Sequence, residues 1–273
     1  MSQPAKHPVA PRPASTVVIL RDGAAGIEVF MVVRHHEIDF ASGALVFPGG
    51  KVDAQDSDPR WATLAPVCAD VPEPPYWVAA ARETFEEAGL LLARNPEREG
   101  RLVLAERAHA LVDRYQKPLN AAEISFCDII EREGLFVATD LMVHFAHWIT
   151  PVTSPKRFDT HFFLVGAPME QVGVHDGSES VDGIWIRPQQ AIDDAEAGRR
   201  TLVNAMRMNL QKLARSRTVA DAVSAARASR VVTVEPQVQN LPDGSRLIRI
   251  PEDAGYGASE IHVPAHIRPA AGG

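Results

Sequence analysis

Four charged residues in one short stretch are the part of this sequence best suited to chemistry. Arg82, Glu83, Glu86 and Glu87 lie within six residues, in a segment otherwise made of good helix formers. With about 100° between successive helical residues, the three glutamates share one face. Clustered carboxylates repel one another unless a cation lies among them, so the pattern predicts a divalent-metal site on a helix. The opposite face would carry Trp77, Val78, Ala81, Thr84, Phe85 and Ala88.

An arginine and two glycines belong to the same predicted site. Arg82 precedes Glu86 by four residues, the spacing at which opposite charges meet on a helix surface. Gly49 and Gly50 follow Pro48, and two adjacent glycines predict a sharp turn. A glutamate pair by itself usually marks a solvated helix face. The accompanying arginine and glycines favour the metal site over that simpler interpretation.

The elements that must position these residues alternate between strand-like and helix-like segments. Residues 15–21 and 27–34 are β-branched runs around an Asp-Gly turn, which predicts a hairpin. The metal helix is predicted at 77–91, after an irregular loop at 54–75. Strands interleaved with helices indicate an α/β fold with a mixed sheet. Further helices are predicted at 101–116, 121–132, 188–196, 200–215 and 218–228, and further strands at 141–149, 158–165, 184–186, 231–235, 237–240 and 246–250.

Length, composition and charge restrict the possible functions. The chain has 273 residues, 45% of them hydrophobic and 23% charged, as in a globular protein with a full core. A net charge of −7 argues against nucleic acid or a membrane as partner, because both favour a basic surface. No apolar run approaches the roughly 20 residues that cross a bilayer, and residues 1–13 lack the apolar core of a signal peptide. With two cysteines and no disulfide pattern, the expected location is cytoplasmic.

Gly50, followed by Arg-Glu-X-X-Glu-Glu-X-Gly-Leu at 82–90, resembles the Nudix box. This box is the loop–helix motif of hydrolases that act on nucleoside diphosphates linked to another group. The sequence departs from the usual spacing, because the Arg-Glu pair expected at position 64 occurs at 82, after an insertion of 18 residues. It also has Asp56 where the family usually has glutamate, and Thr84 where the family has an aliphatic residue. Extra surface loop costs little entropy, so both halves still predict one site.

One branch of this superfamily is similar in the insertion itself. The coenzyme A and acyl-coenzyme A diphosphatases of the mammalian peroxisomal type also carry a long insertion at this point of the box. Segments 47–53, 82–89, 148–151 and 157–163 resemble that branch as well. The resemblance implies one Nudix-type α/β/α sandwich with a mixed sheet at 14–265, between a disordered tail at 1–13 and a flexible tail at 266–273. Its additions would be a box insertion at about 57–76, a helical insertion at about 94–136, and helices with a β-hairpin from about 200.

The resemblance implies roles for the residues of the box. Glu86 and Glu87 would bind Mg²⁺, with Mn²⁺ as the alternative ion, and Glu83 would be a third ligand or orient the other two. Arg82 would hold Glu83 or Glu86 in place. The turn at Gly49-Gly50 would let the backbone approach the metal and the diphosphate. Catalysis would then be the attack of water on phosphorus.

Other candidate residues lie outside the helix. The general base would be a glutamate of the box or Glu179 on a later loop. Arg34 and Arg157 are candidates for binding substrate phosphates. Asp53 and Asp56 are expected either to support the metal ligands or to cap a turn.

Two histidines in a predicted strand are a further possible metal pair. His144 and His147 are three residues apart, and side chains alternate between the two faces of a strand. Their side chains are therefore expected on opposite faces, in structural roles.

The resemblance favours Mg²⁺-dependent hydrolysis of coenzyme A or acyl-coenzyme A to 3′,5′-ADP and 4′-phosphopantetheine or its acylated form. Because the box does not encode recognition of base or sugar, a Nudix enzyme for ADP-ribose, NADH or other nucleotides is the alternative within the family. A non-catalytic nucleotide-binding module is the alternative of another class. The four retained charged residues of the box disfavour it.

Two segments outside the box are expected to shape the substrate site or an interface. The helical insertion is predicted to supply an apolar wall for the pantetheine arm, through Leu102, Leu104, Ala108 and Leu111. The amphipathic helices after residue 200 are expected to form either a homodimer surface or an intramolecular lid.

Overall fold

The computed structural model describes residues 9–33, 44–67, 72–96, 102–168, 171 and 183–264. The strands among these residues form three sheets. The strands are β1 (Arg12–Gly23), β2 (Gly26–Val33), β3 (Leu45–Val46), β4 (Gly49–Lys51), β5 (Ala93–Arg94), β6 (Phe136–Val137), β7 (Val143–Ile149), β8 (Phe158–Gly166), β9 (Gly183–Ile186), β10 (Thr233–Val234), β11 (Gln237–Asn240), β12 (Arg246–Arg249) and β13 (Glu260–Val263).

The main sheet is mixed, as predicted. Its strand order is β10-β7-β8-β1-β2-β3, with β4 paired to β1 and β9 paired to β2. β1 forms the predicted antiparallel hairpin with β2 and runs parallel to β8 on its other side. β11, β12 and β13 form a separate antiparallel sheet, and β5 pairs with β6. The predicted C-terminal hairpin is therefore present and gains a third strand.

Helices cover both faces of the main sheet. The residues of β1 alternate between two cores: Val17 and Ile19 enter one, and Val18 and Leu20 enter the other. Both faces are thus buried, which explains the nearly continuous apolar run of this strand. The α/β/α arrangement is confirmed. The helices are α1 (Trp61–Leu64), α2 (Pro74–Ala88), α3 (Ala105–Asn120) and α4 (Phe126–Arg132) on the first side, and α5 (Pro188–Glu196), α6 (Asn204–Leu213) and α7 (Val219–Ala228) on the second.

The segment predicted as an irregular loop at 54–75 contains regular structure. Trp61 of α1 is buried and packs on Phe126 of α4, with ring centroids 5.8 Å apart. Arg60 pairs with Asp128 at 3.0 Å. The box insertion and the helical insertion therefore stabilise one another. α2 also begins at Pro74, earlier than predicted, because proline suits the first turn of a helix, where its missing N–H is not needed.

The helical insertion departs from the prediction at its proline. α3 continues through Pro118 to Asn120, so this proline lies inside the last turn of one helix and does not separate two helices there. Gln116 in the same helix donates to the carbonyl oxygens of Phe85 and Glu86, at 3.2 and 2.8 Å. The insertion thereby supports the C-terminal end of α2.

The two histidines of β7 lie on the same face, so the prediction of opposite faces is wrong. The pairing of β7 with β8 shifts by one residue between His144 and Ala146, which is a β-bulge. Phe145 and Ala146 both enter the second core. One extra residue therefore returns His147 to the side of His144, and both rings contact His161 of β8.

The ends of the described chain refine two further predictions. β1 begins at Arg12, inside the segment predicted as a disordered tail, because its N–H donates to the carbonyl of Arg157 and the strand pairs with β8. Helices α6 and α7 bury apolar residues such as Met206, Leu210 and Ala222 in the chain's own core.

No helix in the described part of the chain is long and apolar enough to cross a membrane. A homodimer and the cytoplasmic location stay predictions.

Candidate active site

Helix α2 presents the charged cluster as the sequence predicts. Its core-facing residues, which include Val78 and Phe85, are fully buried, while Glu86 and Glu87 are half-buried. Thr84 is completely buried, and its hydroxyl donates to the carbonyl of Ala80 at 2.8 Å. This bond satisfies the hydroxyl at a position where an aliphatic residue was expected. The helix ends at Gly89 in the left-handed conformation, with φ of 64°, a common helix cap for glycine.

Arg82 is the centre of the hydrogen-bond network. Its side chain is only 3% exposed, and two of its nitrogens form a fork on the carboxylate of Asp56, both at 2.9 Å. Its Nη1 donates to Glu83 at 2.8 Å and to Glu86 at 2.9 Å. Nη2, one of the two nitrogens of this fork, also donates to the carbonyl oxygen of Lys51. One guanidinium thus fixes the two halves of the box relative to each other.

Asp56 has both of the functions that the sequence left open. Its carboxylate accepts from the N–H of Asp53 at 2.7 Å, which caps the 3₁₀ turn Ala54–Ser57. The same side chain has no solvent exposure and pairs with Arg82. Asp53 is more than half exposed and lies 3.9 Å from Arg82. Asp56 is therefore a buried support of the cluster, while Asp53 stands at its edge.

The glycine turn leaves room for two glutamates. The N–H of Gly49 donates to Oε2 of Glu87 at 2.9 Å. A Cβ at Gly50 would lie 2.3 Å from Oε1 of Glu83, and a Cβ at Gly49 would lie 2.4 Å from the carbonyl oxygen of Ser15. No side chain fits at these distances. The paired glycines are therefore required by close contacts to α2 on one side and to β1 on the other.

Burial and mutual repulsion perturb the acids of the cluster. Burial raises the pKa of Glu83 to about 8; the charge of Arg82 opposes this rise, and the charges of Glu86 and Glu87 add to it. Burial also raises the pKa of Glu86, against the opposing effect of Arg82. For Arg82, burial alone would lower the pKa, but Asp56 and the two glutamates raise it overall. The guanidinium stays charged, and ionising all of the acids would leave negative charge that one guanidinium does not compensate.

The chemistry of the cluster fits a divalent cation. Three carboxylates contact the single guanidinium of Arg82, and Glu87 adds a fourth negative charge beside them. Carboxylate oxygens are the ligands that hard dications such as Mg²⁺ prefer. A cation among them would oppose the effects of burial and of repulsion by Glu86 and Glu87, which raise the pKa of Glu83. The residues that would hold it are Glu83, Glu86 and Glu87.

A cavity of about 590 Å³ opens on this cluster. Gly49, Gly50, Arg82, Glu83 and Glu86 line one part of it. The other lining residues are mostly apolar and come from β7, β8, α6 and the C-terminal strands: Trp148, Ile149, Phe158, Phe162, Val203, Ala205, Met206, Pro236, Val238 and Ile248. Charged and apolar surfaces therefore share one binding space.

Some of the lining was missed by the sequence reasoning. Lys51 lines the cavity directly after the glycines, and its exposed ammonium is a candidate for contact with phosphate. Its position next to Gly50 was a usable signal. Nothing local in the sequence indicates that Val238 or Ile248 would form a wall, because both are distant in the chain and arrive through tertiary packing.

Two predicted site residues in the described part of the chain, Glu87 and Arg157, are not among the residues that line the cavity. Glu87 lies beside the lining, where it accepts from the N–H of Gly49. The guanidinium of Arg157 donates to Thr150 and Val9 carbonyls and to Glu235, so it ties the start of β1 to β7 and β10. Arg34 and Glu179 lie outside the described residues. A role for any of them in binding or catalysis stays a prediction.

The raised pKa of Glu83 predicts how pH affects the metal-free protein. Between its ordinary pKa of 4.5 and about 8, the folded state holds a proton that the unfolded state has lost. Stability should therefore fall as the pH rises through this window, by at most about 1.4 kcal/mol per pH unit. Glu83→Gln should flatten this dependence, and urea unfolding in the presence of a chelator measures it.

Mg²⁺ provides the control for this experiment. Because the ion favours ionised glutamate, its stabilising effect should grow with pH in the wild type. In Glu83→Gln this increase with pH should be smaller. An equal slope in both proteins would contradict the assignment of the titration to Glu83.

Comparison with known proteins agrees with this geometry. Residues 66–202 match the family model described as the NUDT19 Nudix domain. The putative nudix hydrolase 7 of Caenorhabditis elegans is 29% identical over 174 residues, which cover 64% of this chain and 51% of that protein. The acyl-coenzyme A diphosphatase NUDT19 of Gallus gallus is 27% identical over 216 residues, with 63% and 57% covered. The chain thus spans little more than half the length of these curated relatives.

A solved structure resembles most of the fold. The crystal structure of a NUDIX hydrolase from Alicyclobacillus acidocaldarius is 30% identical, with a TM-score of 0.62, over 79% of this chain and 96% of that one. The family match covers half of the sequence and includes the helix that carries the charged cluster. The split motif, the sandwich fold and these similarities together show that the chain belongs to the Nudix hydrolase family.

Proposed function

We propose that this protein hydrolyses the diphosphate bond of coenzyme A or acyl-coenzyme A, with Mg²⁺ as the cofactor and Mn²⁺ as the alternative ion. The products are 3′,5′-ADP and 4′-phosphopantetheine or its acylated form. The observation that carries the proposal is the cavity in which the carboxylate cluster and an extended apolar wall meet. A substrate with a charged diphosphate and a long, largely uncharged arm matches both surfaces. The name of the Gallus gallus relative, an acyl-coenzyme A diphosphatase, points the same way.

The apolar wall does not come from the helical insertion. None of the four predicted wall residues lines the cavity: Ala108 and Leu111 are buried in the core beside α2, Leu104 is exposed, and Leu102 is half-buried elsewhere. Met206 and Ala205 of α6 line it instead. The prediction that the insertion forms the cavity wall is therefore wrong. The insertion packs against α2 on its core side instead. Of the helices after residue 200, α6 contributes to the cavity wall, and the choice between an intramolecular lid and a homodimer surface stays a prediction.

The roles proposed for the residues follow from their contacts. Glu86 and Glu87 would hold the cation, and Glu83 would be a third ligand or orient the other two. The base would be a glutamate of the box. Arg82 orients Glu83 and Glu86, to which it already donates. When bound, the cation supplies charge neutralisation at the diphosphate and activation of water for attack on phosphorus. Glu179 remains the alternative base.

The protein's own groups would bind and orient the diphosphate. Lys51 stands at the cavity wall, where its positive charge can neutralise part of the phosphate charge. Gly49 and Gly50 carry no side chain that would keep the phosphates away from α2. Most of the remaining wall is apolar, and low-dielectric surroundings strengthen these electrostatic contacts.

Two alternatives make different predictions. A Nudix enzyme for ADP-ribose or NADH binds a second polar sugar or nucleotide, for which the mostly apolar wall is poorly suited. A non-catalytic binding module has no need of the complete network around Arg82. Both observations favour the acyl-coenzyme A reaction.

A hydrolysis panel tests the proposal. Coenzyme A, acyl-coenzyme A, ADP-ribose, NADH and deoxynucleoside triphosphates are each incubated with the protein, with and without Mg²⁺. We expect the highest kcat/KM for coenzyme A or an acyl-coenzyme A, and no turnover in a chelator. Preference for ADP-ribose or NADH would support the alternative within the family, and turnover of none would support the binding module.

A substitution in the cavity wall should separate substrates by their apolar arm. Ala205 is a small, half-buried residue of the wall, so Ala205→Trp fills space that an acyl chain would occupy. We expect roughly a tenfold or larger loss of kcat/KM for long acyl chains and a smaller loss for coenzyme A, because a lost apolar contact costs about this much. Ala197→Trp, at an exposed position after α5, is the matched control. Equal losses for all chain lengths would contradict this place for the acyl arm.

A further inference from the structure

A second cluster of metal-ligating side chains lies away from the Nudix box. We propose that His147, Asp159 and His161 form a site for one first-row transition-metal dication, with Zn²⁺ as the best fit. Their potential ligand atoms all lie within 4.8 Å of one another. Two imidazoles and one carboxylate are a donor set that zinc sites use, with a fourth position left for water. The hard oxygen donors of the box, by contrast, suit Mg²⁺.

The cluster exists because of the β-bulge in β7. Without the extra residue, His147 would face the opposite side of the sheet, where Phe145 and Ala146 are buried. With it, the ring of His147 stacks on that of His161 at 3.9 Å between centroids. Bulges commonly re-aim a side chain next to a functional site.

The cluster and the cavity occupy opposite faces of the same strand. Thr160 and Phe162 of β8 line the cavity, whereas Asp159 and His161 alternate with them. Successive side chains of a strand point to opposite faces. His161 instead contacts the ring of Tyr76 at the start of α2, with centroids 4.5 Å apart. A metal held here is therefore separate from one held by the box.

Neighbouring groups orient the rings of the proposed ligands. His147 Nδ1 lies 2.8 Å from the hydroxyl of Thr233, and its Nε2 lies 2.5 Å from Asp159. His161 Nδ1 lies 2.9 Å from Nε2 of His144, which leaves the other nitrogen of His161 for a metal. Ligating histidines normally bond through their second nitrogen in this way, and such bonds fix the tautomer.

The proposed ligands are also accessible to an ion. Asp159 and His147 are 28% and 15% exposed, which gives an ion a route from solvent.

Metal titration of the full chain tests the proposal. The protein is freed of metals, placed in excess Mg²⁺ to fill the box, and titrated with Co²⁺, whose visible absorption reports a nitrogen-containing, low-coordinate site. Zn²⁺ then displaces the Co²⁺. We expect one equivalent to bind, both in the wild type and in a Glu86→Gln/Glu87→Gln variant that lacks the ligands of the box.

Variants of the cluster assign the site. His147→Gln and Asp159→Asn each remove one ligand at a partly exposed position, and each should weaken Co²⁺ binding by at least about tenfold. His262→Gln removes an exposed histidine elsewhere and should leave binding unchanged. Equal binding by all of these proteins, or no binding by the wild type, would overturn the proposal.

A measurement on the wild type alone covers the case of a variant that does not fold. X-ray absorption of the Zn²⁺-loaded chain in Mg²⁺ should show two imidazoles and one carboxylate at about 2.0–2.2 Å. A shell of oxygen atoms only would place the ion in the box and overturn the second site.

Discussion

Glu87→Gln is expected to lower Mg²⁺-dependent turnover by at least about 100-fold while leaving the fold intact. Removing one group that stabilises charge in a transition state typically costs this much. Glu87 accepts a hydrogen bond from the N–H of Gly49 at 2.9 Å, and the amide oxygen of glutamine can keep that bond. The substitution therefore removes negative charge with little change in shape. Its loss of activity would measure the contribution of that charge to cation binding.

The measurement is kcat and kcat/KM on the best substrate of the panel, over a range of Mg²⁺ concentrations. Circular dichroism and thermal unfolding check that the fold is retained. Glu123→Gln, an exposed acid in the loop between α3 and α4, is the control and should keep full activity. If Glu87→Gln turned over substrate like the control, the assignment of the metal ligands would be wrong.

The metal helix could be predicted from the sequence because its information is local. The 3.6-residue period places Glu83, Glu86 and Glu87 on one face whatever the rest of the chain does. The pair Arg82 and Glu86 likewise follows from spacing alone, and the structure confirms it at 2.9 Å. The alternating strands and helices indicated the layered fold for the same reason.

Features that depend on tertiary contact were not predictable in this way. A single extra residue in β7 moves the side chain of His147 to the other face of the sheet. Nothing in the amino-acid composition of the strand indicates such a bulge. The importance of Asp56 depends on burial under the insertion, which fixes its fork with Arg82. The cavity wall combines segments as distant as Phe47 and Ile248. Only the packed fold brings such residues together.

The long box insertion shows how local and tertiary information combine. Its effect on the spacing is visible in the sequence, and it separates Gly50 from the Arg-Glu pair. What the sequence could not show is that Trp61 anchors it against α4. The anchored insertion places Asp56 directly against Arg82, so that an apparent interruption of the motif becomes part of its support.

Arg82→Met is expected to lower the free energy of unfolding by about 3–5 kcal/mol. Removing one partner of a buried ion pair leaves the other charge without compensation, and this cost far exceeds the loss of a surface pair. Asp56 has no solvent exposure and would keep only its bond from the Asp53 N–H. Glu83 is also buried and would lose its cationic neighbour.

Urea unfolding in a chelator measures this effect, and three variants define its origin. Arg199→Met removes a largely exposed arginine paired with Asp194 and should cost less than about 1 kcal/mol. Arg82→Lys keeps the charge but not the fork, so its loss should be intermediate. Adding Asp56→Asn to Arg82→Met should restore part of the stability, because it removes the buried negative charge that Arg82 no longer compensates. If Arg82→Met cost no more than Arg199→Met, Arg82 would not be the residue that holds the two halves of the box together.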